Sequence, residues 1–410
     1  MSLREDANTI IRAAIAAAMP DAAVRRALQD ADFGDGRLVL IAAGKAAWQM
    51  AKAAYDTLGK RIGGGVVVTK YDHSKGELPG LSIYEAGHPV PDENSFTGTQ
   101  AAIDAVSGLS VRDTVLFLLS GGGSALFEKP LIPKEDLDRL TRELLASGAD
   151  ITEMNTVRKR FSAVKGGRFA ELCKPARVFS VVLSDIIGDP LDMIASGPAY
   201  PDASTCEEAL EVARKYRLTL TPQMEELIRQ ETPKSLSNVE TRVTGSVRQL
   251  CLAAAESAKA LGYRPQILTA SLCCTARDAG SMLAEIAHYH QDTEESLAFI
   301  LGGETVVHLT GHGMGGRNQE LALAAAPGIS GFAGTAVFSV GSDGTDGPTD
   351  AAGGYVDGNT NRSLLEKGYR VFDVLQDNDA YHALKATGGL VMTGPTGTNV
   401  NDFSVLLIRR

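Results

Sequence analysis

The chain has 410 residues, of which 44% are hydrophobic and 22% charged, a balance typical of a folded protein with a core and not of a disordered chain. Its formal net charge of −10 argues against general electrostatic binding to nucleic acid. No apolar run approaches the roughly 18 residues of a membrane helix, so we expect neither nucleic acid nor a membrane as a partner.

The N-terminal segment TIIRAAIAAAMPDA, residues 9–22, predicts an amphipathic α-helix. It mimics a secretion signal, but Arg12 interrupts the apolar stretch and two acidic residues directly follow Arg4, whereas a signal peptide has a net positive start. The five cysteines form no CxxC pair and show no metal-ligand spacing, and Cys273 and Cys274 are adjacent. This pattern favours a reducing compartment, and we expect a cytoplasmic protein.

The rest of the chain alternates apolar runs of strand length with segments of helix length, which predicts an α/β fold with strands buried on both faces. The predicted strands of the first half are RLVLIAA (37–43), GVVVTK (65–70), SIYEAG (82–87), TVLFLLS (114–120) and RVFSVVLS (177–184). Those of the second half are RPQILTAS (264–271), SLAFILGGETVVHLTG (296–311, two strands joined at a glycine pair), TAVFSVGS (335–342) and FSVLLIRR (403–410). A polar stretch without strand signals predicts a domain boundary near residue 235.

Glycine-rich and charged loops follow these strands, at the ends where open α/β sheets bind ligands. In SGGGSALF, the backbone N–H groups of a set of five residues are candidates to hold phosphate oxygens; the set is Ser120, Gly121, Gly122, Gly123 and Ser124. The alternative is an ordinary strand-to-helix turn. Lys45 lies in the predicted first turn of a helix, where a cation opposes the helix dipole. A functional reason or simple exposure to solvent would explain it.

The segment GHGMGGRNQE, residues 311–320, supplies further candidates for nucleotide binding, which are Gly313, Gly315, Gly316 and Asn318. It matches the GxGxxG pattern of dinucleotide-binding folds, but that pattern belongs in the first turn of a βαβ unit, and here it comes late in the chain. Arg317 follows the glycines at a predicted helix start. An arginine in this position suits phosphoryl transfer better than NAD binding.

A basic run, NTVRKRFSAVKGGR (155–168), lies in an otherwise acidic chain. Its spacing predicts a helix that is capped by Asn155 and ends at the glycine pair 166–167, with Arg158 and Lys165 on one face. Such a run is usually a solvated face. Beside glycine-rich loops, Arg158, Lys165 and Arg168 are instead candidates to bind a small anionic substrate.

Two aspartate-rich loops, SDIIGDPLD (184–192) and GSDGTDGPTD (341–350), follow predicted strands. Neither has the alternating ligands of an EF-hand, but a few carboxylates beside phosphate oxygens suit Mg²⁺. The candidate metal ligands are Asp185, Asp189, Asp343 and Asp346. Some of these aspartates are expected to be simple turn formers.

Taken together, the motifs LLSGGGSALF, MNTVRKRFSAVKGGR, VVLSDIIGDPLDMIASGPAYPD, LGGETVVHLTGHGMGGRNQELALAAA and VGSDGTDGPTDAAGG resemble those of the class II glycerate kinases, and they follow the same order. Members of that family carry a C-terminal MOFRL domain and are often labelled hydroxypyruvate reductases. The resemblance implies a Rossmann-like parallel-sheet domain, residues 1–235, and a smaller α/β domain, residues 236–410, which contains the MOFRL region at about 296–405. It places the active site in the cleft between the two lobes.

The resemblance further implies transfer of the γ-phosphoryl group of ATP, with Mg²⁺ or another divalent cation, to D-glycerate, typically giving 2-phosphoglycerate. Lys45 and Arg317 correspond to the family's essential residues. We assign catalysis to these two and to Asp189, and nucleotide binding also to Asp343 and Thr345. An NAD(P)H-dependent hydroxypyruvate reductase and a non-catalytic nucleotide- or sugar-acid-binding regulator are the alternatives. The protein is expected to be a monomer or a homodimer.

Overall fold

The apolar runs of the chain form two six-stranded sheets in the computed structural model, which describes residues 2–410. Each sheet is the centre of one compact unit. We call these the β1–β6 unit, which comprises residues 23–184 and 189–244, and the β7–β12 unit, which comprises residues 2–22, 185–188 and 245–410.

The strands lie close to the positions that the sequence predicts. Those of the first sheet are β1 (Leu38–Ala43), β2 (Ile62–Lys70), β3 (Leu81–Ala86), β4 (Thr114–Leu119), β5 (Arg177–Leu183) and β6 (Val239–Gly245). Those of the second sheet are β7 (Arg264–Leu272), β8 (Leu297–Gly303), β9 (Thr335–Gly341), β10 (Gly353–Asp357), β11 (Leu390–Val391) and β12 (Asp402–Ile408).

Sixteen α-helices connect and cover these strands in the described part of the chain. The first eight are α1 (Leu3–Ala18), α2 (Pro20–Leu28), α3 (Ala47–Leu58), α4 (Glu93–Val106), α5 (Gly123–Leu126), α6 (Lys134–Ser147), α7 (Ile151–Arg158) and α8 (Arg168–Leu172). The others are α9 (Cys206–Lys215), α10 (Pro222–Ile228), α11 (Val247–Ala260), α12 (Ala276–Tyr289), α13 (Arg317–Ala325), α14 (Thr360–Glu366), α15 (Val371–Gln376) and α16 (Ala380–Thr387). None of them, within residues 2–410, is long and apolar enough to cross a membrane.

The first sheet has the strand order β3-β2-β1-β4-β5-β6, and its pairs from β3 through β5 are parallel. Strands β1 and β4 are buried along their whole length, which explains their unbroken apolar sequences. The order reverses between β1 and β4, so the connections that follow these two strands lead to opposite sides of the sheet, and the carboxyl ends of β1 and β4 mark the crevice where sheets of this kind bind ligands. The fold class predicted for this unit is confirmed.

The second sheet has the order β11-β10-β9-β12-β8-β7 and is mixed, with β7 and β8 parallel and the other pairs antiparallel. Alternate residues of β8, β9 and β12 point into two hydrophobic clusters, one on each face of the sheet. Strand β12 runs antiparallel between β8 and β9, so it begins where those two strands end. This edge gathers the residues that follow β8 and β9 around the first residue of β12.

Helix α1 is part of the β7–β12 unit, because its apolar stripe is buried with α11 against one face of the second sheet. The buried carboxylate of Asp6 accepts a hydrogen bond from the Tyr263 hydroxyl at 2.6 Å, which fixes the helix further. The predicted boundary near residue 235 stays a prediction. The compact units differ from it by including α1 with the second sheet and β6 with the first.

Two local predictions are wrong. Residues 304–316 do not form a second strand after β8; they run as an irregular loop with a single bridge, between Thr275 and Val306. The basic run does not form one helix either. Helix α7 is capped by Asp150 and ends at Arg158, a 3₁₀ turn covers Lys159–Phe161, and turns follow to Gly167.

Candidate active site

In the β1–β6 unit, the loops after β1 and β4 are joined where the strand order reverses. The N–H of Lys45 donates to the carbonyl of Gly121 at 2.9 Å, and the N–H of Ala46 donates to Ser120 Oγ at 3.1 Å. Gly44 has φ 123°, and a Cβ there would lie 2.2 Å from Ser120 Oγ, so only glycine allows this close approach. The two loops therefore hold Lys45 in a fixed backbone position.

The side chain of Lys45 is exposed, and no hydrogen bond or ion pair of its ammonium occurs within residues 2–410. The sequence predicted Lys45 in the first turn of a helix. In the structure it lies two residues before the start of α3. Helix α5 after the SGGG segment is a single turn of four residues, so it adds little dipole to any anion bound there. An unpaired ammonium at the crevice of the sheet is suited to attract an anion.

Most cations of the basic run are engaged in buried ion pairs. The Nζ of Lys159 lies 3.0 Å from Asp202 Oδ1, and Lys165 pairs with Glu128, with both lysines at most 2% exposed. Burial lowers the pKa of Lys165, although Glu128 opposes this change. Arg160 is also fully buried beside Asp202. Lys165, predicted to bind substrate, therefore already has a partner inside the protein.

Arg168 and Arg158 differ in whether their guanidinium groups already have partners inside the protein. The Nη1 of Arg168 donates to three backbone carbonyls, those of Lys159, Arg160 and Ser162, so it holds together the turn that follows α7. Arg158 is half-buried, and its Nε is buried without a hydrogen-bond partner among the described residues. Of the three residues predicted to bind substrate, Arg158 alone forms no hydrogen bond or ion pair through its side chain within residues 2–410.

The loop after β5 places its aspartates differently. In the β7–β12 unit, the carbonyl of Asp185 accepts a hydrogen bond from Asn401 Nδ2 at 3.3 Å. In the β1–β6 unit, Asp189 has a left-handed backbone, φ 51°, and its Oδ1 is buried with no partner in residues 2–410. A carboxylate oxygen held without a donor is an open position for a cation.

The β7–β12 unit holds Arg317 in a cluster of charges at the edge where β12 begins. Asp402 pairs in register with Gly303 of β8 and Gly341 of β9, which puts its carboxylate at the ends of both strands. Arg317 Nε donates to Asp402 Oδ2 at 2.5 Å and Nη2 to Oδ1 at 3.1 Å, while Nη1 donates to Glu304 Oε1 at 2.7 Å. Burial acts to lower the pKa of Arg317, but the two carboxylates outweigh it and raise the pKa.

Sequence reasoning missed three members of this cluster, Glu304, Asn401 and Asp402. Asn401 Nδ2 donates to Glu304 Oε2 at 3.2 Å, and its Oδ1 is buried without a partner in the described chain. The signal that could have found them is the polar pair Asn401-Asp402 directly before the apolar strand FSVLLI. Glu304 was missed because the sequence analysis placed it in the second strand of a predicted hairpin.

A cavity of about 730 Å³ opens beside Arg317 in the same unit. Apolar side chains, among them Val306, Val307, Leu309 and Pro348, line part of it. Glycines also line it, and they are Gly311, Gly313, Gly315, Gly316 and Gly347. Apolar walls with a few fixed polar groups are usual in small-ligand sites.

The turn 377–379 fixes the glycine loop of this cavity. The N–H of Gly313 donates to the carbonyl of Asp377 at 2.7 Å, and the N–H of Gly311 donates to Asn378 Oδ1 at 2.9 Å. These amides are therefore already paired, and they are not the free amides of a dinucleotide-binding fingerprint. Gly313 can still contribute the close approach that only glycine allows, since a Cβ there would lie 2.4 Å from Asp379 Cβ.

The aspartate loop after β9 supports helix α13. Asp346 Oδ1 accepts the N–H of Asn318 at 3.1 Å, and Oδ2 accepts the N–H of Gln319 at 2.8 Å. Burial raises the pKa of Asp346 to about 6, against these two backbone hydrogen bonds, which act to lower it. Asp343 is half-buried, and within residues 2–410 its carboxylate accepts one local hydrogen bond, from the N–H of Thr345 at 3.0 Å, while its carbonyl accepts the N–H of Thr396 at 3.1 Å.

The doubly wound sheet with an unpaired lysine at its crevice, and the mixed sheet with an arginine held beside a cavity, define an α/β protein that handles small anionic ligands. The family model described as Domain of unknown function (DUF4147) matches residues 6–229, and that of the MOFRL family matches residues 297–402. D-glycerate 2-kinase of Thermotoga maritima is 52% identical, with 99% of each chain covered. Glycerate 2-kinase of Pyrococcus horikoshii is 41% identical, with 100% of this chain and 98% of that one covered.

A crystal structure of glycerate kinase from Thermotoga maritima matches with a TM-score of 0.93, at 52% identity and with 99% of each chain covered. The chain belongs to the glycerate 2-kinase family of DUF4147 and MOFRL proteins. The resemblance that the sequence motifs indicated is thereby confirmed.

Proposed function

We propose that this protein transfers the γ-phosphoryl group of ATP to the 2-hydroxyl group of D-glycerate. The observation that carries the proposal is the similarity along nearly the full chain to the D-glycerate 2-kinase of Thermotoga maritima. Phosphoryl transfer depends on positioning and charge neutralisation more than on covalent chemistry. Each compact unit supplies one cation suited to this task, Lys45 in the β1–β6 unit and Arg317 in the β7–β12 unit.

The hydrogen bonds of Arg317 support a role toward phosphoryl oxygens. A guanidinium has five N–H donors, and Asp402 and Glu304 take one from each of its three nitrogens. Each terminal nitrogen therefore keeps one N–H. Two donors in a fixed plane can bind two oxygens of a phosphoryl group at once. The two carboxylates fix the orientation of the Arg317 guanidinium, so this side chain needs little reorganisation during the reaction.

The cavity beside Arg317 suits the base and sugar of a nucleotide. Val306 and Leu309 are 50% and 84% exposed, so they offer apolar surface that a planar base would cover. The glycines that line the cavity are required by the packing of the protein itself, because a Cβ on Gly313 or Gly316 would meet Asp379 or Asp346, and they present backbone to the cavity. We place the nucleotide here, in contact with Gly315 and Gly316, and assign Asn318 to support of the helix start, since its N–H donates to Asp346.

Mg²⁺ fits the residues that are present. Asp189 offers a carboxylate oxygen with no donor in the described chain, and Asp343 is free of ion pairs within residues 2–410. In the Arg317 cluster, the two carboxylates of Glu304 and Asp402 face one guanidinium, so negative charge is in excess there. The carbonyl of Asp185 already accepts a hydrogen bond from Asn401, and both carboxylate oxygens of Asp346 are engaged as helix caps. A bound Mg²⁺ would neutralise phosphate charge and orient the nucleotide.

Arg158 is our candidate for the glycerate carboxylate. A guanidinium binds a carboxylate through two parallel hydrogen bonds, and Arg158 retains its donors, whereas Lys165 and Arg168 are engaged with Glu128 and with backbone carbonyls. Lys165 would then act indirectly, by placing a positive charge near Arg158.

The reductase alternative is not favoured. A dinucleotide fingerprint needs free amides in the first βα turn of a parallel sheet, whereas the GxGxxG segment here follows an irregular loop and its first two glycine amides donate to the turn 377–379. The cytoplasmic location, and a monomer or homodimer, stay predictions.

One experiment separates these functions. The protein is incubated with D-glycerate, ATP and Mg²⁺, and the product is identified by phosphorus NMR; a second cuvette holds hydroxypyruvate and NADH. We expect 2-phosphoglycerate in the first and no NADH oxidation in the second. A 3-phosphoglycerate product would correct the position of transfer, and NADH oxidation without phosphorylation would refute the kinase.

A further inference from the structure

His88 lies at the same crevice of the β1–β6 unit as Lys45, although no motif of the chain singles it out. It follows β3 by two residues. A Cβ placed on Gly122 would lie 3.0 Å from His88 Cδ2 and 3.0 Å from Lys45 Cγ. The imidazole and the lysine side chain therefore border the same backbone position in the loop after β4, and both come from loops of strands that lie on the same side of β4 in the sheet.

The groups around His88 are mainly cationic. Lys45, Lys70 and His73 all act on it electrostatically, and His73 Nδ1 is 2.9 Å from the carbonyl oxygen of Lys45. Two carboxylates belong to the same region, but both are engaged elsewhere. Glu85 accepts the N–H of Ser74 at 2.9 Å, and Asp92 accepts the hydroxyl of Tyr71 at 2.8 Å.

The ring of His88 is half-buried and forms no hydrogen bond with any residue between 2 and 410. Burial, and then the positive charges of Lys45 and Lys70, lower the pKa of His88, which favours the neutral imidazole in the free protein. Like charges gathered without a carboxylate partner are unfavourable. A divalent anion at this position would relieve that repulsion and supply the imidazole with an acceptor.

We propose that His88, Lys45 and the backbone at Gly122 form a binding site for a phosphate group, with His88 as a contact residue that donates a hydrogen bond to it. The proposal rests on the proposed kinase function for the source of that phosphate, which is ATP or the phosphorylated product. His88 takes up a proton as the anion binds, because a nearby negative charge favours imidazolium.

The sign of the pH dependence follows from this. His88 is neutral in the free protein at neutral pH and charged in the complex, so affinity for the anion rises as pH falls through the pKa of the complex. It levels off below the pKa of the free protein. One unit of difference between the two pKa values corresponds to about a tenfold gain in affinity.

Titration calorimetry with inorganic sulfate tests the site without turnover, since sulfate itself does not titrate in the histidine range of about pH 5 to 8. Binding is measured in two buffers of different ionisation enthalpy, with the wild type, His88→Asn and the control His288→Asn, an exposed histidine of α12. We expect proton uptake by the wild type and the control. In His88→Asn the uptake disappears, and sulfate binds about tenfold more weakly at about pH 6 but nearly normally at about pH 8.

The wild-type measurement needs no variant, so it decides the matter even if His88→Asn folds poorly. An absence of sulfate binding or of proton uptake in the wild type, or unchanged uptake in folded His88→Asn, would overturn the proposal. Repeating the titration with ADP and with 2-phosphoglycerate shows which ligand brings the phosphate, because only that ligand's uptake is lost in His88→Asn. If the wild type shows histidine-linked sulfate binding but no kinase activity, the site stands and the proposed function fails.

Discussion

Arg317 has three of its five N–H donors committed to Asp402 and Glu304, so its remaining two have a fixed direction. If these two meet charge that grows during transfer, their loss lowers kcat more than it weakens nucleotide binding. We expect Arg317→Ala to lower kcat by at least about 100-fold, since arginines in comparable positions contribute roughly 10³ to 10⁵. Steady-state kinetics measure this, with circular dichroism as the check of folding. A folded variant with normal turnover would remove Arg317 from catalysis.

Lys45 has a matched control seven residues further along the chain. Lys52 is half-buried and forms an i,i+4 pair with Asp56 on α3, at 2.7 Å. We expect Lys45→Ala to lower kcat by at least about 100-fold, because an ammonium that meets phosphate charge is lost. Lys52→Ala should leave kcat unchanged. Lys45→Arg should not restore activity, because a planar guanidinium cannot replace a compact ammonium. Equal effects of the two alanine variants would indicate loss of folding, not of a ligand contact.

Arg158 is the one residue of the basic run for which a substrate role can be separated from a structural role. Its Nε has no partner in the described chain, whereas the neighbouring cations are buried in ion pairs. We expect Arg158→Ala to raise the KM for glycerate at least about tenfold and that for ATP much less, since a charge-assisted pair contributes a few kcal/mol. Arg142→Ala on the exposed side of α6 is the control. An unchanged glycerate KM would place the carboxylate site elsewhere.

At the scale of elements, helix α13 depends on a cap from a distant loop. Its own N-cap residue is Gly316, which has no side chain, and a Cβ there would lie 2.3 Å from Asp346 Cγ. Asp346 caps the helix instead, through the N–H groups of Asn318 and Gln319. We expect Asp346→Ala to lower the free energy of unfolding by about 1 to 2 kcal/mol, measured by urea denaturation. The exposed Asp292→Ala should change it little.

The protonation of Asp346 also makes the free energy of unfolding depend on pH, with a definite sign. Burial raises the pKa of Asp346 to about 6, above the value near 3.9 of an unfolded aspartate. The contribution of this raised pKa to stability is therefore fully present below about pH 4 and is lost as pH rises through about 6. Unfolding of the wild type and of Asp346→Ala, measured across that range, should differ in slope. Parallel pH profiles would show that Asp346 titrates normally.

The sequence predicts the elements better than the contacts between them. Strands β4 and β9 are buried on both faces, and such strands need an unbroken apolar run that is visible locally. The basic run looked like a solvated or ligand-binding face, because its acidic partners lie far along the chain. Lys159 and Asp202 are 43 residues apart, and Lys165 and Glu128 are 37 apart. No local pattern contains such pairs.

The predicted second strand of the hairpin failed for a different reason. Residues 304–311 have the β-branched composition of a strand, but Val306 and Leu309 are exposed and the segment lines the cavity beside Arg317. Composition reports a preference for extended backbone, whereas pairing depends on a neighbouring strand. At the candidate site, Lys45 and Arg317 were visible as cations near predicted helix starts, whereas the polar pair Asn401-Asp402 was visible but its position beside β8 and β9 follows only from the order of the second sheet.

At the scale of the whole molecule, the net charge of −10 opposes the binding of an anionic nucleotide, so the cations and a divalent metal must offset it locally. We expect Mg²⁺ and ATP together to raise the melting temperature by several degrees, and EDTA to abolish most of the part due to ATP. A ligand that binds only the folded state, at about 100 times its Kd, adds about 2.7 kcal/mol.

The metal requirement is then assigned to a residue with two variants. Asp189 presents a buried carboxylate oxygen without a donor in residues 2–410, whereas Asp30 is an exposed aspartate of the same unit. If Asp189 holds the metal, Asp189→Asn loses most of the Mg²⁺-dependent part of the ATP shift, because a neutral amide attracts Mg²⁺ far less than a carboxylate does. Asp30→Asn keeps that part. The metal-independent part should be the same in both, since the contacts with the nucleotide are untouched. A full Mg²⁺-dependent shift in folded Asp189→Asn would exclude this residue and make Asp343 the next candidate, and an ATP shift that needs no metal in the wild type would remove the metal role from both loops.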